Sequence, residues 1–207
     1  MAELIKEIDA ATVRENLARV RSLAGPEVEI LAATKYVPLE DMGVLAEAGI
    51  ELVGENRLQD LEAKRERWDD AFSWDFIGSV QSRKIPRIAP LVRLIHSIDT
   101  ESALRRLAGT EVEVMIQVNV AGEEAKGGID PAALADFIDA CPVPVVGLAT
   151  MPPFAGDPEA SRPYFAQLAE LASAHGLQRL SMGTSQDWRV AVAEGATTIR
   201  LGSSLFR

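Results

Sequence analysis

Residues 179–204 read Arg-Leu-Ser-Met-Gly-Thr-Ser-Gln-Asp-Trp-Arg-Val-Ala-Val-Ala-Glu-Gly-Ala-Thr-Thr-Ile-Arg-Leu-Gly-Ser-Ser. A short β-rich run ends in a glycine/serine turn at 183–185. A helical segment over 186–194 then closes at Gly195, and a second β-rich run ends in another such turn at 202–204. Strand, turn, helix, strand is the signature of a βα unit, which makes the two strands parallel. The same alternation recurs back to the first third of the chain. It predicts strands over 29–34, 50–54, 74–78, 93–98, 112–118, 145–150, 179–183 and 197–202. Eight such strands close a barrel, so the expected fold class is α/β, a single (β/α)8 barrel of TIM type. No Pro/Gly/Ser-rich linker or composition break divides the 207 residues, and one domain over 1–207 is expected. Ala10, Val13, Leu17 and Val20 are spaced by three, four and three, which predicts an extra helix over 4–23 outside the eight repeats. An open doubly wound sheet is the alternative, but the first strand is not followed by a glycine-rich dinucleotide turn.

The composition is that of a domain able to bury a substantial core, with 47% hydrophobic and 25% charged residues. Lys and Arg number 21 against 31 Asp and Glu, a net charge of -10, which repels nucleic acid and anionic membranes. No apolar run is long enough to cross a bilayer, and acidic Glu3, Glu7 and Asp9 stand where a secretory leader would be basic. The lone Cys141 allows no internal disulfide and reads as a small buried residue. A cytoplasmic protein is expected.

Strand alternation assigns faces. In the fifth strand Val112, Val114, Ile116 and Val118 point to the helices, leaving Glu113, Met115, Gln117 and Asn119 inside. In the eighth, Thr197, Ile199 and Leu201 point outward, and Thr198 and Arg200 inward. A buried guanidinium needs acceptors, so Arg200 is expected to meet Glu113, another carboxylate or a ligand atom. A structural ion pair and a ligand contact fit this spacing equally.

Lys35 ends the first strand on the inward face, at the rim where such barrels build their sites. An amine in a partly apolar mouth loses its proton more readily and can attack an aldehyde. Gly183 and Gly202 let the backbone come close to an anion, and Thr184, Ser185, Ser203 and Ser204 add hydroxyl donors, in two turns of the kind that hold phosphate after the last two strands. One lysine and two such turns suggest a pyridoxal phosphate site. Simpler roles stand beside these. Ser185 can serve as a helix N-cap, and Asn56 with Gln59 reads first as a capping box. Arg83, Lys84 and Arg87 read first as a solvated helix face, with an anion patch or exit path as the alternative. Residues 119–128 form a lid or a plain surface loop. His96 and His175 show no metal spacing, and His175-Gly176 reads as a helix end.

Six stretches together resemble the pyridoxal phosphate homeostasis proteins, relatives of the alanine racemase N-terminal barrel. They are Leu31-Ala32-Ala33-Thr34-Lys35, Gly54-Glu55-Asn56-Arg57-Leu58-Gln59, Phe76-Ile77-Gly78-Ser79-Val80-Gln81-Ser82-Arg83-Lys84, Gly147-Leu148-Ala149-Thr150-Met151, Ser181-Met182-Gly183-Thr184-Ser185 and Ile199-Arg200-Leu201-Gly202. The resemblance runs in order through the chain. It implies pyridoxal 5'-phosphate as cofactor, with Lys35 as the Schiff-base lysine. Ser185 and the amides of Gly183, Thr184, Gly202 and Ser203 would hold the phosphate, Arg200 would face the pyridine nitrogen, and Asn56 would lie beside the ring. The sequence departs from the pattern at Asp75 (often histidine), Arg83 (commonly asparagine), Thr184 (frequently methionine) and Arg207 (usually glycine).

An arginine at the ring nitrogen weakens the ring as an electron sink, which disfavours carbanion chemistry. A racemase also needs a second acid/base opposite the lysine. Tyr36 is expected on the other strand face and Tyr164 in the helix after the sixth strand, so neither serves. The resemblance therefore implies a carrier that holds and releases the cofactor and passes it to apo-enzymes, without robust turnover, and a single barrel with no partner domain is expected to be a monomer. A pyridoxal phosphate-dependent amino-acid racemase and a Schiff-base aldolase are the rival readings.

Overall fold

The computed structural model describes residues 4–5, 7–123 and 127–207. Eight parallel strands, β1 (Glu29–Ala33), β2 (Leu52–Glu55), β3 (Ser73–Phe76), β4 (Leu94–Ile98), β5 (Glu113–Gln117), β6 (Val145–Ala149), β7 (Arg179–Ser181) and β8 (Thr198–Leu201), close in sequence order into a barrel. The helices are α1 (Ala10–Ala24), α2 (Met42–Glu47), α3 (Leu58–Trp68), α4 (Ile85–Ile88), α5 (Glu101–Leu107), α6 (Leu134–Asp139), α7 (Arg162–Ala174), α8 (Trp188–Ala193) and α9 (Ser203–Phe206). No described helix is long and apolar enough to cross a membrane. All eight expected strands are present. β3 and β7 stop two residues early, because their glycine-containing ends, Gly78 and Gly183, already belong to the rim loops.

α7 shows how the sequence sets an element. Pro163 occupies its first turn, where the missing N–H costs nothing. Phe165, Leu168 and Ala172 share one buried face, and the helix ends at His175 followed by Gly176 with φ of 67°. The predicted helix end at His175-Gly176 is therefore found.

The first helix differs from expectation, starting at Ala10 instead of residue 4. Asp9 is its N-cap, accepting from the Thr12 N–H at 2.7 Å and the Thr12 hydroxyl at 2.8 Å. Glu7 has a φ of 57°, which no helix tolerates, and the Ile5 N–H instead donates to the Tyr36 carbonyl at 2.9 Å. The expected apolar face does pack: Val13, Leu17 and Val20 are buried. Asn16 from the same face donates to the Leu205 and Arg207 carbonyls at 3.1 and 3.0 Å, so α1 docks on α9.

Side-chain alternation follows the predicted faces. Val114, Ile116, Ile199 and Leu201 join the apolar layer between barrel and helices, whereas Met115 packs inside with Leu94 and Ala149. Beside that small apolar plug the interior is polar: Asp75 is in register with Leu94 and Ser181 with Ala149, and Asp75, His96, Ser181, Thr198 and Arg200 are all buried. Residues 124–126 of the loop expected over 119–128 lie outside the described residues. Its flanks are tied by the Asn119 N–H to Ile129 O at 3.0 Å and the Ile129 N–H to Gln117 O at 2.8 Å. Cys141 is half-buried, which pushes its thiol up.

At the N-terminal end of the barrel, Glu29 accepts from Arg93 at 2.7 and 2.9 Å, from Arg179 at 2.7 Å and from the Thr198 hydroxyl at 3.1 Å. Burial alone would raise the Glu29 carboxyl. The hydrogen bonds and charge of Arg93, the charge of Arg179 and the Thr198 hydroxyl outweigh it and hold the group at about 2. A carboxyl depressed in the folded state stabilises above its ordinary pKa, and that contribution is lost as pH falls toward the folded value. Urea unfolding between pH 4.5 and 3 should therefore show the wild type losing stability more steeply than Glu29→Gln, and parallel slopes would contradict this account.

Candidate functional site

β1 ends at Ala33 and the chain turns at once, with the Val37 N–H donating to Thr34 O at 2.8 Å. A buried group fixes this turn from below. The Lys64 ammonium lies 2.6 Å from Glu55 Oε1 and 2.7 Å from Thr34 O, and the Thr34 hydroxyl donates to the same Glu55 oxygen at 2.6 Å. Glu55 Oε2 is buried without a partner among the described residues. The sequence reading missed both charged residues, though a signal existed. Leu58, Leu61 and Lys64 recur every third residue along α3, which puts Lys64 on the buried face.

Lys35 leaves this anchored turn exposed to solvent, its Nζ 5.0 Å from the centroid of the Tyr36 ring. It shares a depression of about 400 Å³ with Asn56, Arg57 and Lys64. The expectation that Tyr36 lies on the opposite face from Lys35 is overturned. Alternation applies only within the strand, and the turn at Thr34 ends it. Tyr164 lies in α7 as expected.

Asn56 is not a capping residue. α3 begins after Arg57, an extended N-cap with no side-chain cap bond, so the Asn56 side chain is not committed to the helix. Gly78 explains the position of its backbone: a Cβ on Gly78 would stand 2.2 Å from Asn56 O. Only glycine permits that approach between the ends of β2 and β3.

Across the β1–β8 seam are the two glycine/serine loops. β1 pairs with β8 in the register Leu31 to Arg200 and Ala32 to Leu201, and a Cβ on Gly202 would stand 3.8 Å from Ala33 O. Lys35 follows Ala33 by two residues, so its backbone begins within about 7 Å of that point. Ser185 joins the loops: its Oγ accepts from the Gly202 N–H at 3.2 Å and the Ser204 N–H at 3.1 Å, while the Ser204 hydroxyl donates to Ser185 O at 3.1 Å. Ser185 is thus not a local N-cap, and α8 starts later, at Trp188 after Asp187. Asp187 instead accepts from the Thr184 N–H at 2.8 Å, the Thr184 hydroxyl at 3.1 Å and the Ser161 hydroxyl at 2.9 Å, which occupies the Thr184 amide within the protein. Gly183 adopts a φ of 89°, and a Cβ there would stand 2.6 Å from the Ala191 Cβ.

The N–H groups of Gly183 and Ser185 have no protein acceptor among the described residues, and that of Ser203 precedes the hydrogen bonds of α9. Such unpaired donors beside the Gly202 turn are the chemistry an oxyanion requires, so the donor set fits a phosphate group.

Below the mouth, Arg200 donates through Nη1 to Ser181 O at 2.8 Å and Ser181 Oγ at 2.6 Å, and through Nη2 to Thr150 O at 2.8 Å. Glu113, one of its expected partners, is at the opposite end of the barrel. It begins β5 and faces Arg179 at 3.9 Å. No described carboxylate pairs directly with Arg200. Burial lowers its pKa to about 10, opposed by the charge of Asp187, and the group remains a cation at neutral pH. Beyond Ser181, His96 lies 2.8 Å away through Nδ1 and 3.0 Å from Asp75 Oδ2 through Nε2. Sequence reading treated His96 only as a non-ligand and left Asp75 without a role. Among the described residues no group of three His, Cys, Asp or Glu could hold a metal ion.

A closed parallel barrel with an anchored lysine after β1, a buried arginine on β8 and unpaired amides after β7 and β8 defines a class of protein that holds a phosphorylated ligand at its C-terminal rim. Residues 8–207 match the family described as alanine racemase, N-terminal domain. The pyridoxal phosphate homeostasis protein of Aquifex aeolicus is 38% identical over 195 residues, covering 86% of each chain. That of Pseudomonas aeruginosa is 35% identical over 219 residues, covering 95% of each. The structure of PipY from Synechococcus elongatus, solved both with and without PLP, superposes with a TM-score of 0.83 at 32% identity and covers 94% of this chain and all of PipY. The chain belongs to the pyridoxal phosphate homeostasis protein family, within the alanine racemase N-terminal domain group.

Removing the cation of the buried pair leaves Glu55 charged and uncompensated beneath the Lys35 turn. Lys64→Met should cost about 3 kcal/mol in urea denaturation; a loss below about 1 kcal/mol would show that the pair does not anchor the turn.

Proposed function

We propose that this chain is a pyridoxal 5'-phosphate-binding protein of intracellular cofactor homeostasis, acting as a single domain over residues 1–207. It binds the cofactor covalently but reversibly through Lys35 and gives it up to water, free amines or apo-enzymes. The observation that carries this reading is the β1–β8 seam, which sets the Lys35 turn beside Gly202 and the two loops that Ser185 holds together. When bound, the cofactor supplies an aldehyde for a primary amine, a phosphate dianion and a ring whose electron demand depends on its nitrogen.

The chain's own residues match those three parts. Lys35 offers the amine. The amides of Gly183, Ser185 and Ser203 and the Ser185 hydroxyl take the phosphate at the Gly202 turn, whose own amide already donates to Ser185 Oγ, with Thr184 shaping the loop through Asp187. Arg200 donates an N–H to the ring nitrogen and keeps its own proton at neutral pH, which holds that nitrogen unprotonated. Asn56 borders the ring from the Lys35 depression. Because Lys35 is exposed, an amine or water can reach it, and release needs no buried base.

Tyr36 stands beside Lys35, not across the mouth from it, so it does not supply the opposing acid/base of a racemase. This supports a carrier without robust catalytic turnover. A cytoplasmic monomer completes the proposal.

Purified protein incubated with pyridoxal 5'-phosphate should gain a visible absorption band. Borohydride should fix the cofactor to Lys35, located by peptide mass spectrometry, and Lys35→Ala should lose both signals. Optical rotation of L-alanine should stay constant with the loaded protein. Turnover at roughly 1 s⁻¹ or faster would make it an enzyme, and absence of the band would remove the cofactor assignment altogether.

A further inference from the structure

Four side chains from four strands form one line of hydrogen bonds across the barrel: Asp75 on β3, His96 on β4, Ser181 on β7 and Arg200 on β8. Their relative exposures are 0%, 2%, 0% and 7%. The separations are 3.0 Å from Asp75 Oδ2 to His96 Nε2, 2.8 Å from His96 Nδ1 to Ser181 Oγ, and 2.6 Å from Ser181 Oγ to Arg200 Nη1. Both ends have a fixed polarity. A guanidinium only donates. Asp75, gripped by Arg93 at 2.8 and 3.2 Å, is a carboxylate and only accepts.

These ends dictate the middle. Ser181 Oγ accepts from Arg200, so its own hydrogen is free to donate to His96 Nδ1. The proton of a neutral imidazole then sits on Nε2 and points at Asp75. An imidazolium would turn Nδ1 into a second donor aimed at the serine oxygen, and the serine hydrogen would lose its acceptor. Burial acts in the same direction: it holds His96 below its ordinary value against the hydrogen bond and charge of Asp75, assisted by the charges of Arg200 and Arg179.

We infer that His96 is a positioning residue for Arg200, acting through Ser181, with Asp75 holding the imidazole in the one tautomer that can do so. Ser181 and Thr150 together take up three of the five guanidinium N–H groups, all on Nη1 and Nη2. The Nε–H and one Nη2–H stay free for a ligand acceptor. His96 itself never touches the ligand. The inference rests on the proposal above that Arg200 faces the ring nitrogen, and it gives the buried guanidinium an orientation that no direct carboxylate partner provides.

The chain has two histidines, so ¹⁵N imidazole spectra of the cofactor-free protein are simple to assign, with His175→Gln identifying the second ring. His96 should remain the neutral Nε2–H tautomer from pH 6 to 8, and Ser181→Ala should shift its Nδ1 resonance. An Nδ1–H tautomer, an imidazolium at pH 7, or an Nδ1 signal indifferent to Ser181→Ala would overturn the relay. In a double-mutant cycle, Ser181→Ala and His96→Gln should each weaken pyridoxal phosphate binding by roughly 5- to 30-fold and displace the visible band in the same direction. The double variant should be no more than about twofold weaker than the poorer single one. Multiplicative losses would mean that the two residues act separately and would sink the inference. If His96→Gln does not fold, Asp75→Asn takes its place in the cycle, where unchanged affinity and band position would be equally fatal. Should the wild type take up no cofactor, the proposed function fails, while the imidazole spectra still decide the relay.

Discussion

A guanidinium sealed inside a closed sheet is the constraint around which the rest of this molecule is arranged. Moving an ion of that kind out of water costs several kcal/mol even after relaxation, and only dense hydrogen bonding can offset it. Arg200 meets that need with two carbonyl oxygens and one hydroxyl supplied by β7 and the end of β6. The apolar plug of Leu94, Met115 and Ala149 packs beside the polar groups. The result is an interior split by polarity, in which the cation is held by dipoles and no carboxylate neutralises it at contact.

The rim repeats the same principle. Charge and hydrogen bonds lie beneath the exposed reactive groups and hold them still. Glu55 and Lys64 bind the carbonyl and hydroxyl of Thr34, the residue immediately before Lys35, while Ser185 ties the turn after β7 to the turn after β8. Each support converts a flexible loop into part of the scaffold, which is what a site built on loops requires. The seam between β8 and β1 then brings two ends of the sequence, 169 positions apart at Leu31 and Arg200, side by side at one mouth.

Much of this architecture was readable in the sequence because its signals are local. Alternating β-branched runs marked all eight strands, and inward-facing Met115 and Arg200 follow from a period of two. The readings that failed were also local, and failed for a common reason. Asn56 with Gln59 matches a capping pattern, yet the packing of Gly78 against the Asn56 backbone places the helix start one residue later. Ser185 matches an N-cap, yet the amides nearest its hydroxyl belong to the next βα unit. Tyr36 was assigned a face by an alternation that had already ended at Ala33. For α1, the period of Ala10, Val13, Leu17 and Val20 does not itself mark a start, and the Asp9 cap and the positive φ of Glu7 place it at Ala10.

Residue order thus settled the barrel, the direction of its strands and the candidates for amine, phosphate turns and buried arginine, since each depends on periodicity or on neighbours in the chain. Which groups face each other across the interior was settled by barrel closure. His96 and Ser181 are 85 residues apart, and Glu55 reaches Lys64 only because a helix folds back over its own strand. Hydrogen bonds select partners by distance and direction in space, and a closed sheet brings together strands that share no pattern along the chain.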